Sequence, residues 1–298
     1  MLDSSDQWVA VGNVETSFIK PTLLQCLDDA GDPVFTHDNL TNKDGVTRDV
    51  LRMNIDTESQ ISVLDETQLF EKRTALLDQV TNQLLTVGVI SRKHSDINST
   101  HRTAPFLGID SIGVHLHCYV CQDNTNKPTG VWLAKRAPNK SHHPNFWDPT
   151  VAGGQPVDLS LHENIIKEAH EEAGVPSEWL RIDNTTQNDT VLTDHTHHPL
   201  TITTAKSDGS CMKRSMYYSF DLQVPIEWRP TAVDGEVSEF KPYSVQDLED
   251  ELRHGDSVRP AMRSVLLDFM IRHQLWKGPE RELEELRRAM RRKRMVLW

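Results

Sequence analysis

The sequence predicts an α+β chain: a layered helix–sheet–helix domain over residues 109–276, a small α+β module before it over residues 1–108, and a charged helical tail over 277–298. Three observations lead there. Strand-like runs stand before and after one central helical segment, and further helices close the region, so a sheet covered on both faces is the arrangement that buries them. A polar stretch, Lys93–Ala104, with Pro105 just beyond it, separates two textures of sequence and reads as a linker. The central helical segment is bracketed by glycines, Gly153-Gly154 before it and Gly174 after it, where a helix C-cap belongs.

In the first module, Ser17–Asp28 has helical spacing at Phe18, Leu23, Leu24 and Leu27. Val46–Asn54 alternates as a strand does, and Glu66–Gly88 reads as a long helix with an apolar stripe at Leu69, Leu76, Leu77, Val80, Leu84 and Leu85. From Gly108 onward, Gly113–Cys121 and Gly130–Arg136 read as strands, and Pro138–Pro149 as a loop rich in Pro, His and Asn. Leu200–Lys206 and Arg214–Leu222 flank Ser-Asp-Gly-Ser, a hairpin signal. Glu236–Tyr243 is a further strand, and Val245–Leu252 and Pro260–His273 are helices. Glu280–Arg294 is a helix with Glu first and Arg last, which suits the helix dipole and a solvated appendage.

Composition narrows the function. Net charge is −12, from 32 basic and 44 acidic residues, which disfavours nucleic acid as a partner. The tail from Lys277 runs the other way, with eight basic residues against four acidic. Four cysteines make no disulfide framework, and Cys118 and Cys121 lie in an apolar strand without a second pair at zinc-ribbon spacing. Free thiols and the absence of a secretory or transit signature at the N-terminus lead to a cytoplasmic expectation. No run of 18 apolar residues exists to span a membrane.

The chemistry concentrates at residues 153–175, GGQPVDLSLHENIIKEAHEEAGV. Glu168 and Glu171 are spaced i, i+3 and Glu168 and Glu172 i, i+4, so one helix face carries three carboxylates. Like charges at those spacings destabilise a bare helix, so a partner should offset them. A solvated face is the plain alternative. A hard cation such as Mg²⁺ (or Mn²⁺), completed by a substrate phosphate, is the sharper one. Ile165, Ile166, Ala169 and Ala173 supply an apolar opposite side that allows burial with the carboxylates in a cleft. Lys167 has Glu163 four residues toward the N-terminus as an expected partner.

This segment resembles the Nudix box, G-x5-E-x7-R-E-U-x-E-E-x-G-U with U bulky and apolar. Gly153 matches its first glycine, Glu168, Glu171 and Glu172 its acidic trio, Gly174 its last glycine and Val175 its final apolar residue. Leu159 stands at the first Glu, Lys167 at the Arg, and only Ala169 at the apolar position after it. Further stretches are similar to one Nudix subfamily: Gly113-Val-His-Leu-His, Trp132-Leu-Ala-Lys-Arg-Ala, Asp148-Pro-Thr-Val-Ala-Gly-Gly, Asp234-Gly-Glu-Val-Ser-Glu-Phe and Leu267-Asp-Phe-Met-Ile-Arg-His. That subfamily carries an N-terminal domain of unknown function, has a fungal branch fused to thiamine pyrophosphokinase, and shares the box departures. The resemblance implies the Nudix α/β/α sandwich and a cation held by the acidic trio with the Gly153 carbonyl. It also implies hydrolysis of a small-molecule diphosphate, at subfamily level the oxo and oxy forms of thiamine diphosphate. A nucleoside diphosphate derivative such as ADP-ribose, or binding without cleavage, are the competing readings.

Other residues are weighed singly. Glu236 and Glu239 share a strand but are three apart, so only one enters a site; Glu236, after a glycine turn, is the expected general base. Lys135 and Arg136 end a strand near the expected mouth, and His115 and Arg214 complete the substrate-binding candidates. Strand histidines are more often structural, and His195, His197 and His198 read as a solvated loop. Trp147 and Trp228 are large enough to stack on a base.

Overall fold

The computed structural model describes residues 8–9, 24–41, 47–53, 66–88, 111–122, 127–140, 142–156, 158–180, 192–194, 199–205 and 212–290. They fall into two compact units: one takes the described residues up to 111 and those of 203–214, the other takes those from 112 to 202 and from 215 onward.

In the first unit, β1 (Trp8–Val9), β3 (Thr47–Met53) and β2 (Phe35–Thr41) form an antiparallel sheet in that order. The expected strand at Val46–Asn54 is β3. The long helix α1 runs Glu66–Thr86, with Val80 and Leu84 of its stripe fully buried. The expected helix at Ser17–Asp28 is not continued in its described part. Residues 24–28 form a turn and a bridge from Leu27 to Pro33. Asp28 draws the chain into that turn by accepting from the N–H groups of Ala30 and Asp32, a local competitor to helix that Asp provides readily. Residues 17–23 lie outside the described ones.

In the second unit, β4 (Ser111–Cys121) and β5 (Pro128–Arg136) lie at the centre of a sheet ordered β11 (Val237–Ser244), β5, β4, β10 (Met212–Gln223), β8 (Leu192–Asp194). Three short strands pair beside this path: β6 (Trp147–Pro149) on β5, β7 (Val151–Gly154) on β4, and β9 (Leu200–Ala205) on β10. Alternation assigns the two faces. Val114, Leu116, Cys118, Trp132, Phe220 and Leu222 pack with Ile165, Ala169 and Ala173 of α2 (Leu161–Ala173). Tyr119, Val131, Leu133 and Tyr243 pack with Leu248 of α3 (Val245–His254) and with Met262, Val265, Leu266 and Phe269 of α4 (Pro260–Arg272). Helices on both faces of one sheet are the sandwich that the pattern predicts.

The last helix, α5 (Glu280–Met290), buries no residue fully, but Met290 packs against the α3–α4 core and Arg253 bridges Glu249 and Glu282, so it is tethered rather than free. Among the described residues no helix is long and apolar enough to cross a membrane.

Candidate active site

Helix α2 is fixed at both ends by its own sequence. Ser160 accepts from the Glu163 N–H at 3.2 Å while the Glu163 carboxylate accepts from the Ser160 N–H at 2.8 Å, a reciprocal capping box. Gly174 ends the helix in the left-handed region at φ 64°, which glycine adopts without a Cβ penalty. Ahead of the helix, the buried Asn164 amide donates to the Gly154 carbonyl at 2.9 Å and to Gln155 Oε1 at 3.1 Å, pinning the Gly-Gly strand onto the first turns. Gly153 packs so closely that a Cβ there would lie 2.4 Å from Glu168 Cγ. A side chain at 153 would therefore displace the first carboxylate of the trio.

The three carboxylates differ in setting. Glu172 is buried and accepts from the Ala152 N–H at 2.9 Å. Burial pushes its pKa up to about 8, opposed by that hydrogen bond and reinforced by the charges of Glu168, Glu236 and Asp234. Glu168 is also raised, by burial first, with Lys167 pulling the other way. Glu171 is half-exposed and takes the Lys167 ammonium at 2.6 Å; Lys167 also reaches Glu168 at 3.3 Å. The expectation that Lys167 turns to Glu163 is corrected here. Glu163 is committed to the helix cap, so Lys167 turns toward the trio.

A cleft opens beside this helix, lined by Ala134, Arg136, Lys140, Asp148, Pro149, Ala152, Glu172, Glu236 and Val237. Glu236 forms an ion pair with Lys140. Glu239 does not line the cleft: it pairs with Lys135 at 3.5 Å, across a register shift between Val237 and Glu239. Of the two basic residues ending β5, Arg136 enters the cleft, while Lys135 lies over the Trp147 ring at 5.5 Å. Arg136 donates to Asp148 Oδ2 at 3.0 Å and to the His142 carbonyl at 3.1 Å, and Arg259 Nε donates to Asp148 Oδ1 at 2.7 Å.

The remaining candidates lie elsewhere. His115 is buried on the α4 side of the sheet, edge-on to Tyr217 at 4.8 Å, with Nδ1 unpartnered. Burial first, then the Arg259 and His117 charges, hold its pKa well below the usual imidazole value. His117 bonds Asp221 at 2.9 Å. Arg214 lies near the start of β10 and does not line the cleft. Trp147 is a core residue packed on Tyr243, and Trp228 packs on Trp179; neither lines the cleft. The histidines of 195–198 lie outside the described residues. Lys140, Asp148, Asn164 and Arg259 were missed by sequence reasoning. Asn164 stands next to Glu163 in the first helical turn, a visible cue, but nothing local marks Arg259, which is 111 positions from Asp148.

Among the described residues, no three His, Cys, Asp or Glu side chains converge as a ready metal cage. The donor set still suits a hard cation. Burial first, then the charges of Glu168, Glu236 and Asp234, push Glu172 toward its neutral form, and a bound dication would oppose both by favouring the carboxylate. Gly153 itself packs directly against the Glu168 side chain, so the loop glycine lies next to one member of the trio.

The chain is 30% identical over 172 residues, 58% of its length, to Nudix hydrolase 24, chloroplastic, of Arabidopsis thaliana. It is 30% identical over 170 residues, 57% of its length, to Nudix hydrolase 20, chloroplastic, of the same plant. The matches span 43% and 41% of those relatives' own length. Among solved structures, an Ap4A hydrolase binary complex from C. elegans is 20% identical at a TM-score of 0.37, covering 56% of this chain and 99% of that one. The NUDIX domain of Shewanella oneidensis NrtR, complexed with ADP ribose, is 14% identical at a TM-score of 0.36, covering 56% and 89%. The model of the NUDIX domain matches residues 113–265, just over half of the sequence and every residue of the cleft, and the chain belongs to the NUDIX domain family.

Proposed function

We propose that this chain hydrolyses a diphosphate linkage with Mg²⁺ (or Mn²⁺), and that its substrate is a damaged, oxo or oxy, form of thiamine diphosphate, released as the monophosphate and phosphate. The observation that carries the reading is the cleft in which Glu172 and Glu236 meet Arg136 and Lys140. Glu168, Glu171, Glu172 and the Gly153 carbonyl are the groups to hold the cation, which supplies charge neutralisation at phosphoryl oxygens and an acidified water. The chain's own residues do the rest. Arg136, whose Nη1 and Nε are held by Asp148 and the His142 carbonyl, offers its Nη2 N–H groups to phosphate oxygens. Lys140 is held by Glu236, and a bound phosphate competes for that ammonium. Glu236 is then free to take the proton of the attacking water as the anhydride P–O bond breaks and the phosphoryl leaving oxygen departs.

The preference for a thiamine-type substrate is supported by the subfamily motifs, above all Asp234–Phe240, which borders the cleft through Glu236 and Val237. Two plant relatives are named as Nudix hydrolases, which supports hydrolysis over mere binding. The unbridged, buried or half-buried thiols of Cys118 and Cys121 support a reducing compartment, the cytoplasm, as its place of action. The test is steady-state kinetics with Mg²⁺ on oxythiamine diphosphate, thiamine diphosphate, ADP-ribose and a CoA derivative. Oxythiamine diphosphate is expected to give the highest kcat/KM. Equal or better use of ADP-ribose overturns the substrate, and no turnover of any diphosphate overturns the activity.

A further inference from the structure

We propose that Arg259, acting through Asp148, turns the Arg136 side of the cleft into an anion subsite for one phosphoryl group of the substrate; the proposal rests on the diphosphate reading above. Asp148 is buried, and each of its oxygens is committed to a different guanidinium: Oδ2 to Arg136 at 3.0 Å, Oδ1 to Arg259 at 2.7 Å. Guanidinium groups stay protonated at any working pH. Two positive charges against one carboxylate leave one positive charge over, and among the described residues neither arginine has a second carboxylate partner. The neighbouring cations are balanced differently. Lys140 is matched by Glu236, Lys135 by Glu239, and Lys167 faces two carboxylates. The surplus therefore sits at the Arg136–Asp148–Arg259 group.

The surroundings register that surplus. His143 is held below the usual imidazole range by burial first, then by the charges of Arg259 and Arg136, with Asp148 pulling the other way. The group is also built rigidly. The Trp147 N–H donates to the Ser257 carbonyl at 2.9 Å and the Arg259 N–H to the Trp147 carbonyl at 3.0 Å, so the segment entering α4 is stitched to the strand that carries Asp148. Arg136 spends Nη1 on Asp148 and Nε on the His142 carbonyl, which leaves Nη2 as a donor for an anion in the cleft. Asp148 and Arg259 are thus positioning residues: one aims Arg136, and the other cancels the neutralisation that Asp148 would otherwise impose on it.

The consequence is an opposite response to two substitutions. In Arg259→Gln, Asp148 pairs off Arg136 one to one and the surplus charge vanishes. Removing one net positive charge beside an anion site weakens binding by roughly ten- to a hundredfold. In Asp148→Asn, the surplus charge grows while Arg136 loses its aim. The experiment is calorimetric titration of full-length, metal-free protein with inorganic pyrophosphate, alongside kcat and KM for the best diphosphate substrate. Expected is at least about tenfold weaker pyrophosphate binding and raised KM for Arg259→Gln, retention within a few fold for Arg259→Lys, and unweakened binding with a lower kcat for Asp148→Asn. Wild-type pyrophosphate affinity in a folded Arg259→Gln, or equal weakening in Arg259→Lys and Asp148→Asn, overturns the proposal. The second comparison stands even if the Gln variant does not fold. A wild-type protein that binds pyrophosphate but turns over no diphosphate sinks the hydrolase reading alone.

Discussion

At Gly153 the cost of one methyl group separates fold from chemistry. The clash is with the flexible side chain of Glu168, not with backbone, so Gly153→Ala should cost the fold little while moving a proposed cation ligand. Turnover should fall by about 10²-fold or more, because misplacement near 1 Å at a reacting site has that effect. Gly154, where a Cβ meets nothing within 4 Å, is the matched control, and Gly154→Ala should retain most activity. Comparable losses at both positions would show that loop stiffness, not Glu168 placement, governs the rate. His115 makes a different residue-scale prediction. Its folded-state pKa lies well below the ordinary imidazole value, so as pH falls below about 6.5 the unfolded chain takes up a proton that the folded chain refuses. Its contribution is therefore full at neutral pH and lost toward acid. Urea unfolding at pH 7 and pH 5 should show a smaller acid loss for His115→Phe than for wild type, and an unchanged difference would remove His115 as a source of acid sensitivity.

Helix α2 shows what an element owes to local signals. Removing the cap oxygen in Ser160→Ala should destabilise by about 1 kcal/mol, read by denaturant unfolding, with the Gly174 stop left in place. The same element shows how legible the sequence is. The helix, its glycine cap and its carboxylate face follow from spacing alone, because those interactions are within four residues. Spacing alone points Lys167 at Glu163, although the Ser160-x-x-Glu163 box that pre-empts Glu163 stands in the sequence; two local rules compete, and the cap wins. The strands β6 and β7 were hidden in a Pro- and Gly-rich stretch because they exist only by pairing with β5 and β4, a non-local condition. The cleft was half legible for the same reason. Glu172 and Glu236 announce themselves by motif and turn, whereas the Asp148–Arg259 contact depends on the whole sandwich closing.

The whole molecule carries a net charge of −12, and its candidate site gathers Glu168, Glu172, Glu236 and Asp234 within electrostatic reach of one another. Two kinds of salt effect should then be separable. Monovalent salt screens the diffuse charge, with a Debye length near 10 Å at about 0.1 M, and should stabilise gradually and without saturation. A divalent cation in the cleft binds the folded state only, so its effect should saturate with a dissociation constant. At tenfold excess over that constant the gain is about 1.4 kcal/mol, roughly 3–6 °C in Tm for a domain of this size. Glu172→Gln should split the two effects. It removes a buried carboxylate that burial already disfavours in the ionised form, so the metal-free variant should be as stable as wild type or more so. It should also lose most of the saturable Mg²⁺ gain and about 10²–10³-fold in turnover, while its response to matched NaCl stays that of wild type. Thermal melts of both proteins in Mg²⁺ and in NaCl of equal ionic strength measure this directly. A saturable Mg²⁺ gain that survives in Glu172→Gln would place the cation elsewhere, because this carboxylate is the trio member most deeply withdrawn from water and has most to gain from a bound dication.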